Sequence, residues 1–196
     1  MQMYNSIDTA VAKCVSLTTE ERLLFHSLLK FRKARKRTWL LQEGDICNFE
    51  AFIVKGCIRV FYCDEAGAEI NLSFAIEGGW VSDLQSFSTK TPSTMLIETL
   101  EDCELLLLDH QSKTELLDRI PRFERYFRLH LQQSLIDLQI RWHALLAHTA
   151  EQRYNAFLDH YPDIARRVTQ IQIARYIGVS PEFLSKMRSL MYRRAS

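Results

Sequence analysis

Near the C-terminus, Pro181, Glu182, Ser185, Lys186 and Ser189 recur at spacings that place them along one side of a single helix. A carboxylate, an ammonium and two hydroxyls set out in that way break no covalent bond. Their chemistry is recognition: they donate to and accept from base edges and phosphates. Leu184 and Met187, three apart, form the opposite, inward side of the same helix.

The preceding residues read as the device that positions this helix. Ser180 suits its N-cap, and Pro181 suits the first helical position, where a missing N–H is no loss. Gly178 suits the end of an earlier helix, where a positive φ is needed, and Val179 plugs the angle between the two. The earlier helix opens on the cap Thr169, with Ile171, Ile173, Ala174 and Ile177 as its apolar side. Residues 168–188 thus have the pattern of a helix-turn-helix whose second helix enters a major groove. An αα-hairpin with a polar outer face is the plainer alternative.

Charge favours nucleic acid. From Ala165 to Ser196, seven cationic residues (Arg166, Arg167, Arg175, Lys186, Arg188, Arg193, Arg194) stand against one acid, Glu182. That segment carries +6 where the whole chain carries +1, so the remainder carries −5. A local basic patch is the footprint of phosphate contact, and the near-neutral total excludes a general polycation.

A length of 196 residues, 47% of them hydrophobic, allows one large domain or two modest ones. No apolar run approaches a membrane span, and no secretory leader is visible, so a cytoplasmic protein without membrane contact is expected. The five cysteines are scattered and form no CxxC. That argues against zinc, an iron–sulfur cluster or a disulfide framework, and for buried thiols in a reducing compartment.

Periodicity orders the rest. Thr18 and Glu21 form a capping box for a helix whose Leu24, Leu28 and Phe31 share one face, and Arg32–Arg37 reads as a solvated linker. From Thr38 to about Asp109, strand-like runs at Thr38–Gln42, Ala51–Val54, Cys57–Cys63, Ile70–Phe74, Met95–Leu100 and Cys103–Leu108 are separated by glycine and acidic turns. This predicts a jelly-roll or sandwich with room for a small ligand. A helical pattern resumes at Ser112 and continues past Pro121, which can open a new helix. From Arg122 to His148 there is neither glycine nor proline, giving a helix of about 27 residues, about 40 Å long.

On that helix Phe127, Leu131, Leu135, Leu138, Trp142 and Leu145 are spaced 4, 4, 3, 4 and 3, a heptad-like seam that predicts pairing with its twin in a homodimer. Thr149 caps a further helix, whose Tyr154 and Leu158 pack on the helix-turn-helix, and Tyr161-Pro162 breaks the chain before a short basic segment. The fold class is therefore α+β. Residues 1–120 are expected to form a β-roll with N-terminal helices, 121–148 a dimerisation helix, and 149–196 a helix-turn-helix domain.

Other classes are weaker. A cupin-like enzyme would hold a metal on strand histidines, yet none of His26, His110, His130, His143, His148 and His160 lies in the strand block. There is no nucleophile elbow, P-loop or dinucleotide fingerprint, so no enzyme is expected. A ligand-binding β-roll without a DNA role conflicts with the basic excess around Lys186 and Arg188.

A β-roll, a long helix and a C-terminal helix-turn-helix together resemble the Crp/Fnr family of bacterial transcription regulators. The likeness is sharpest at Ile173–Arg188 and at Gly78–Phe87 with Thr91–Thr94. It implies a homodimer on double-stranded DNA, with RNA polymerase a further candidate partner. It places Glu182 and Lys186 at base-reading positions and Thr169 and Gln170 at backbone-contacting ones, with Ser180, Pro181, Ser185, Arg188 and Ser189 completing the interface. In cyclic-nucleotide-binding members of such a family, a Gly-Glu pair takes the ribose and an Arg-Ser pair the cyclic phosphate. Here those pairs read Ser82-Asp83 and Ser93-Thr94, without arginine. Ser82, Asp83, Leu84, Ser93 and Thr94 are thus the candidate effector pocket for an unidentified small molecule rather than for cyclic AMP held in the usual way, and no cofactor is implied. Cys14 stands alone near the N-terminus, so the family's iron–sulfur mode lacks its ligands. Tyr161–Val168 does not read as a strand hairpin, so no developed β-wing is expected.

Overall fold

The computed structural model describes residues 2–195. Helices α1 (Asn5–Ala12) and α2 (Thr19–Leu28) open the chain. The capping box of α2 is formed: Thr18 Oγ accepts from the Glu21 amide, and the Glu21 carboxylate accepts from the Thr18 amide. Eight strands follow: β1 (Lys30–Ala34), β2 (Trp39–Leu41), β3 (Phe49–Lys55), β4 (Ile58–Cys63), β5 (Glu69–Ala75), β6 (Trp80–Val81), then β7 (Leu96–Thr99) and β8 (Cys103–Asp109) after the short helix α3 (Leu84–Thr89). They form two four-stranded sheets of order β1-β8-β3-β6 and β2-β7-β4-β5. Helices α4 (His110–Arg119), α5 (Phe123–Ala147), α6 (Ala150–His160), α7 (Pro162–Ala165), α8 (Gln170–Ile177) and α9 (Pro181–Ala195) complete the chain.

Packing divides the chain into two units, Met1–Val60 with Phe74–Ser134, and Phe61–Ser73 with Leu135–Ser196. In the first unit the apolar sides of α1 and α2 (Ile7, Val11, Phe25) meet Phe52 of β3, Leu106 and Leu108 of β8, Leu116 of α4 and Phe123 of α5 in one core. Burying a side chain such as Phe25 or Phe123 contributes roughly 1.5–3 kcal/mol. Strands β3 and β8 are central in their sheet, which explains their nearly unbroken apolar runs; β1 is at its edge.

Four expectations need correction. Phe31 and Arg32 to Ala34 are not helix face and linker; they form β1, paired antiparallel with β8 from Lys30↔Leu107 to Ala34↔Cys103. An edge strand tolerates cations because one rim faces water, and Lys30 and Lys33 bind Asp109 and Glu104 on the neighbouring strand. The helix before Pro121 starts at His110 rather than at Ser112, capped by Asp109, and ends at Arg119; the new helix expected at Pro121 begins at Phe123. Pro121 lacks the N–H that continuation would need. The stretch Gly78–Phe87, likened only to a ligand cassette, holds β6 and the first residues of α3. The break at Tyr161-Pro162 is followed by the helical turn α7, with Pro162 at its start.

Candidate nucleic-acid interface

Helix α8 begins on Thr169, whose hydroxyl accepts from the Gln172 amide while the Gln172 side chain accepts from the Thr169 amide. It ends at Gly178, φ 75°, a left-handed residue whose amide and that of Val179 both reach the Ala174 carbonyl. Ser180 Oγ then accepts from the Phe183 amide at 3.1 Å and starts α9. Ile173, Ala174 and Ile177 of α8 are buried, as is Leu184 of α9, only 1% exposed. Two caps and an apolar hinge thus fix the angle between the helices. Ile171, placed on the apolar side by its sequence, is instead 49% exposed. It lies about 200° around the helix from Ile173, too far to share its face.

The outward side of α9 carries Glu182, Ser185, Lys186 and Ser189, all exposed. The Glu182 carboxyl is held below its ordinary pKa, first by its own backbone amide, then by the Ser180 hydroxyl, with the Lys186 charge adding to the effect. An acceptor, Glu182, and a donor, Lys186, are therefore presented together one turn apart. Thr169 and Gln170 are exposed at the start of α8. The Gln170 side-chain oxygen accepts from Tyr154 Oη at 3.3 Å. Pro181 is half-buried. Arg188 departs from the expected row: it is half-buried, its guanidinium 5.9 Å from the ring centres of both Tyr154 and Tyr192.

Three side chains that brace this unit escaped sequence reasoning. Arg153 on α6 donates to the Ile177 carbonyl at 2.8 Å and to the His148 carbonyl at 2.8 Å, covering the ends of α8 and α5. Arg141 on α5 donates to the carbonyls of Leu72, Asn71 and Tyr176 and lies 4.1 Å from the centre of the Tyr176 ring. Burial lowers the Arg141 pKa and raises that of Tyr176. Glu69 on β5 pairs with Arg175 of α8 at 2.5 Å.

On α5 itself Phe127 is buried in the first unit's core and does not belong to an outward seam. Leu131, Leu135, Leu138 and Trp142 are 45–62% exposed. Leu145 is half-buried, and its Cδ2 lies 3.5 Å from where a Cβ on Gly178 would stand.

The effector-pocket candidates divide. Asp83 is 4% exposed and caps α3: one oxygen accepts from the amides of Gln85 and Ser86, and the other accepts from Ser93 Oγ at 2.6 Å. Ser82 donates to the Phe49 carbonyl. Leu84 and Thr94 are exposed to solvent. The structure therefore joins Asp83 with Ser93, but as a folding element. Ser86, unnoticed in the sequence, extends the network by donating to the Thr91 carbonyl and accepting from the Cys47 amide.

Two further ion pairs lie in the first unit. Arg59 of β4 meets Glu98 of β7 at 2.7 Å. Lys113 of α4 meets Glu50 of β3 at 2.5 Å, with its ammonium 4.4 Å from the centre of the Phe127 ring. A cyclic phosphate needs an unengaged arginine or lysine, and a ribose needs an unengaged carboxylate. At residues 82–83 and 93–94 there is no arginine or lysine, and the Asp83 carboxylate is engaged by Gln85, Ser86 and Ser93. Among the described residues no group of three or more His, Cys, Asp or Glu is placed to hold a metal, and no helix is long and apolar enough to cross a membrane.

Residues 31–120 match the cyclic nucleotide-binding domain family. No curated protein matches the chain in sequence. Among solved structures, the chain is similar to CLP, a c-di-GMP-responsive global regulator of Xanthomonas campestris, with 16% identity and a TM-score of 0.77 over 91% of this chain and 93% of that one. The Thermus thermophilus catabolite activator protein gives 18% identity and a TM-score of 0.57 over 100% of this chain and 88% of that one. A Eubacterium rectale protein described as a transcriptional regulator of the Crp/Fnr family gives 17% and 0.69 over 91% and 84%. With a cyclic nucleotide-binding-type β-roll, a long helix and a C-terminal helical region, the chain has over most of its length the fold of the Crp/Fnr regulators.

Proposed function

We propose that the protein is a sequence-specific DNA-binding transcription regulator that works as a homodimer. The observation that carries this reading is the α8–turn–α9 unit, capped at both helices, with Glu182 and Lys186 exposed one turn apart on α9. Lys186 donates to a guanine O6/N7 pair and Glu182 accepts from a cytosine amine. Thr169 and Gln170 hold the phosphate backbone from the start of α8.

The homodimer reading rests on α5. Leu131, Leu135, Leu138 and Trp142 recur at heptad-like spacing and are exposed, and covering apolar surface contributes about 25 cal/mol per Å². Pairing two chains also doubles the base contacts of a small reading head. The β-roll, residues 1–120, then serves as a sensor that biases the orientation of the reading heads, and its effector is not a cyclic nucleotide bound through residues 82–83 and 93–94.

The test is selection of duplexes from a random pool by the purified full chain. Enrichment of a motif with two half-sites related by two-fold symmetry, about one helical turn apart, is expected. Failure to enrich any motif would overturn the DNA-reading role, and enrichment of a single asymmetric site would overturn the dimeric mode.

A further inference from the structure

The residue following Glu182 has the wrong chemistry for a solvated helix face. Phe183, the third residue of α9, is 52% exposed, although the next residue, Leu184, is 1% exposed. Its placement is fixed, because its amide is the donor to the Ser180 cap. At about 100° per residue, Phe183 lies about 60° around the helix from Lys186 and about 100° from Leu184. The phenyl ring thus borders the polar side rather than the core side, in the first turn of the helix. In a recognition helix the N-terminal residues are the ones that reach base edges.

A phenyl ring neither donates to nor accepts from a phosphate. The major groove displays one apolar group, the C5-methyl of thymine, and an aromatic side chain can pack on it. The setting selects this occupant over an apolar protein surface. The segment from Ala165 to Ser196 carries +6, and the Lys186 ammonium lies on the same side of the helix, a setting that attracts a polyanion.

We propose that Phe183 is a specificity-determining residue that packs on the 5-methyl group of one thymine in each half-site. The proposal rests on the DNA-reading function stated above and extends it to a base that the hydrogen-bonding pair Glu182 and Lys186 does not read.

The experiment takes the duplex enriched by selection and replaces each thymine in turn with deoxyuridine, which removes only the methyl group. Binding of the full chain is followed by fluorescence anisotropy. Losing one buried methyl contact weakens binding by about fourfold. For the wild-type chain we expect that loss at one thymine per half-site. Phe183→Ala should bind thymine and deoxyuridine duplexes equally at that position, and Phe183→Leu should keep part of the preference. Leu190→Ala, which removes another exposed apolar side chain of the same helix, should leave the preference intact. Thermal melts of the variants check that each is folded.

If no thymine is methyl-sensitive, or if the sensitivity survives in folded Phe183→Ala, the proposal is overturned while the DNA-reading function stands. If selection enriches no duplex at all, both are overturned.

Discussion

Asn71 on β5 donates its side-chain amide to the backbone carbonyl of Gln172, 2.8 Å away. Gln172 is also the residue whose side chain closes the capping box of α8. One turn of α8 is therefore held by its own cap and by the β4–β5 hairpin together. The Glu69–Arg175 pair adds a charged contact between the same two elements, and Arg141 supports both by binding carbonyls of Asn71, Leu72 and Tyr176.

Arg141→Lys should therefore be damaging despite keeping the charge. A lysine ammonium cannot stack flat on Tyr176 while reaching three carbonyls in a planar fan. Loss of one or two hydrogen bonds from a charged donor costs about 2–4 kcal/mol. Urea unfolding of the variant should show a lower midpoint, and an unchanged midpoint would remove Arg141 from its bracing role.

The engagement of Asp83 predicts both a stability effect and a ligand result. Asp83→Ala removes a helix cap and one of the two acceptors of the Ser93 hydroxyl, for a loss of about 2 kcal/mol. Cyclic AMP at about 1 mM should leave the Tm of the wild-type chain unchanged. A ligand present at about 100 times its Kd would add about 2.7 kcal/mol, a shift of several degrees. Such a shift would show that the β-roll binds the nucleotide by some other arrangement.

The exposed side chains of α5 predict an assembly effect. Leu138→Glu together with Trp142→Glu should convert a dimer into a monomer in sedimentation velocity, because carboxylates facing each other across a twofold seam repel and lose hydration. Neither side chain is buried within its own chain, so the melting temperature of the monomer's β-roll should change little. A dimer that survived both substitutions would place the interface elsewhere.

Acid sensitivity should come in part from Asp109. Hydrogen bonding to Lys30, then to the Ser112 amide, holds its pKa at about 2 against an ordinary 3.8. A carboxyl lowered in the folded state stabilises the fold above its unfolded value and loses that contribution as pH falls from about 4 towards 2. Because Lys30 is largely exposed, water screens the pair, and about 1 kcal/mol is a fair magnitude. The stability difference between wild type and Asp109→Asn should be full at pH 6 and should shrink below pH 4, as followed by chemical denaturation. A difference that did not change with pH would contradict this.

The sequence revealed most of what was local. The caps Thr18, Thr149 and Thr169, the turn glycine Gly178 and the long helix beyond Pro121 are set by residues a few positions apart, and the structure has them. What it hid was decided at long range. Strand β1 forms because β8 offers a partner about seventy residues away, overriding the helix-like spacing of Leu24, Leu28 and Phe31. Asp83 looked like a ligand residue because its type and position suited a ribose; its partner Ser93 shows that the carboxylate is engaged internally. Arg59 sat inside an apolar run, a legible anomaly, and Arg141 among alternating polar and apolar residues; their partners Glu98 and Tyr176 lie 35 or more positions away. Phe127 fitted the seam period yet points into the core, since a heptad count does not tell which residues of a helix another core has already covered.

The central claim is that α9 reads base sequence. Its most direct test is fluorescence anisotropy of the full chain on the selected duplex and on a scrambled duplex across a salt series. We predict binding that weakens steeply with salt on both, with the selected duplex at least a thousandfold tighter and Lys186→Ala lowering that preference. Equal affinity for both duplexes at every salt concentration would contradict it, leaving only a basic surface that attracts any nucleic acid.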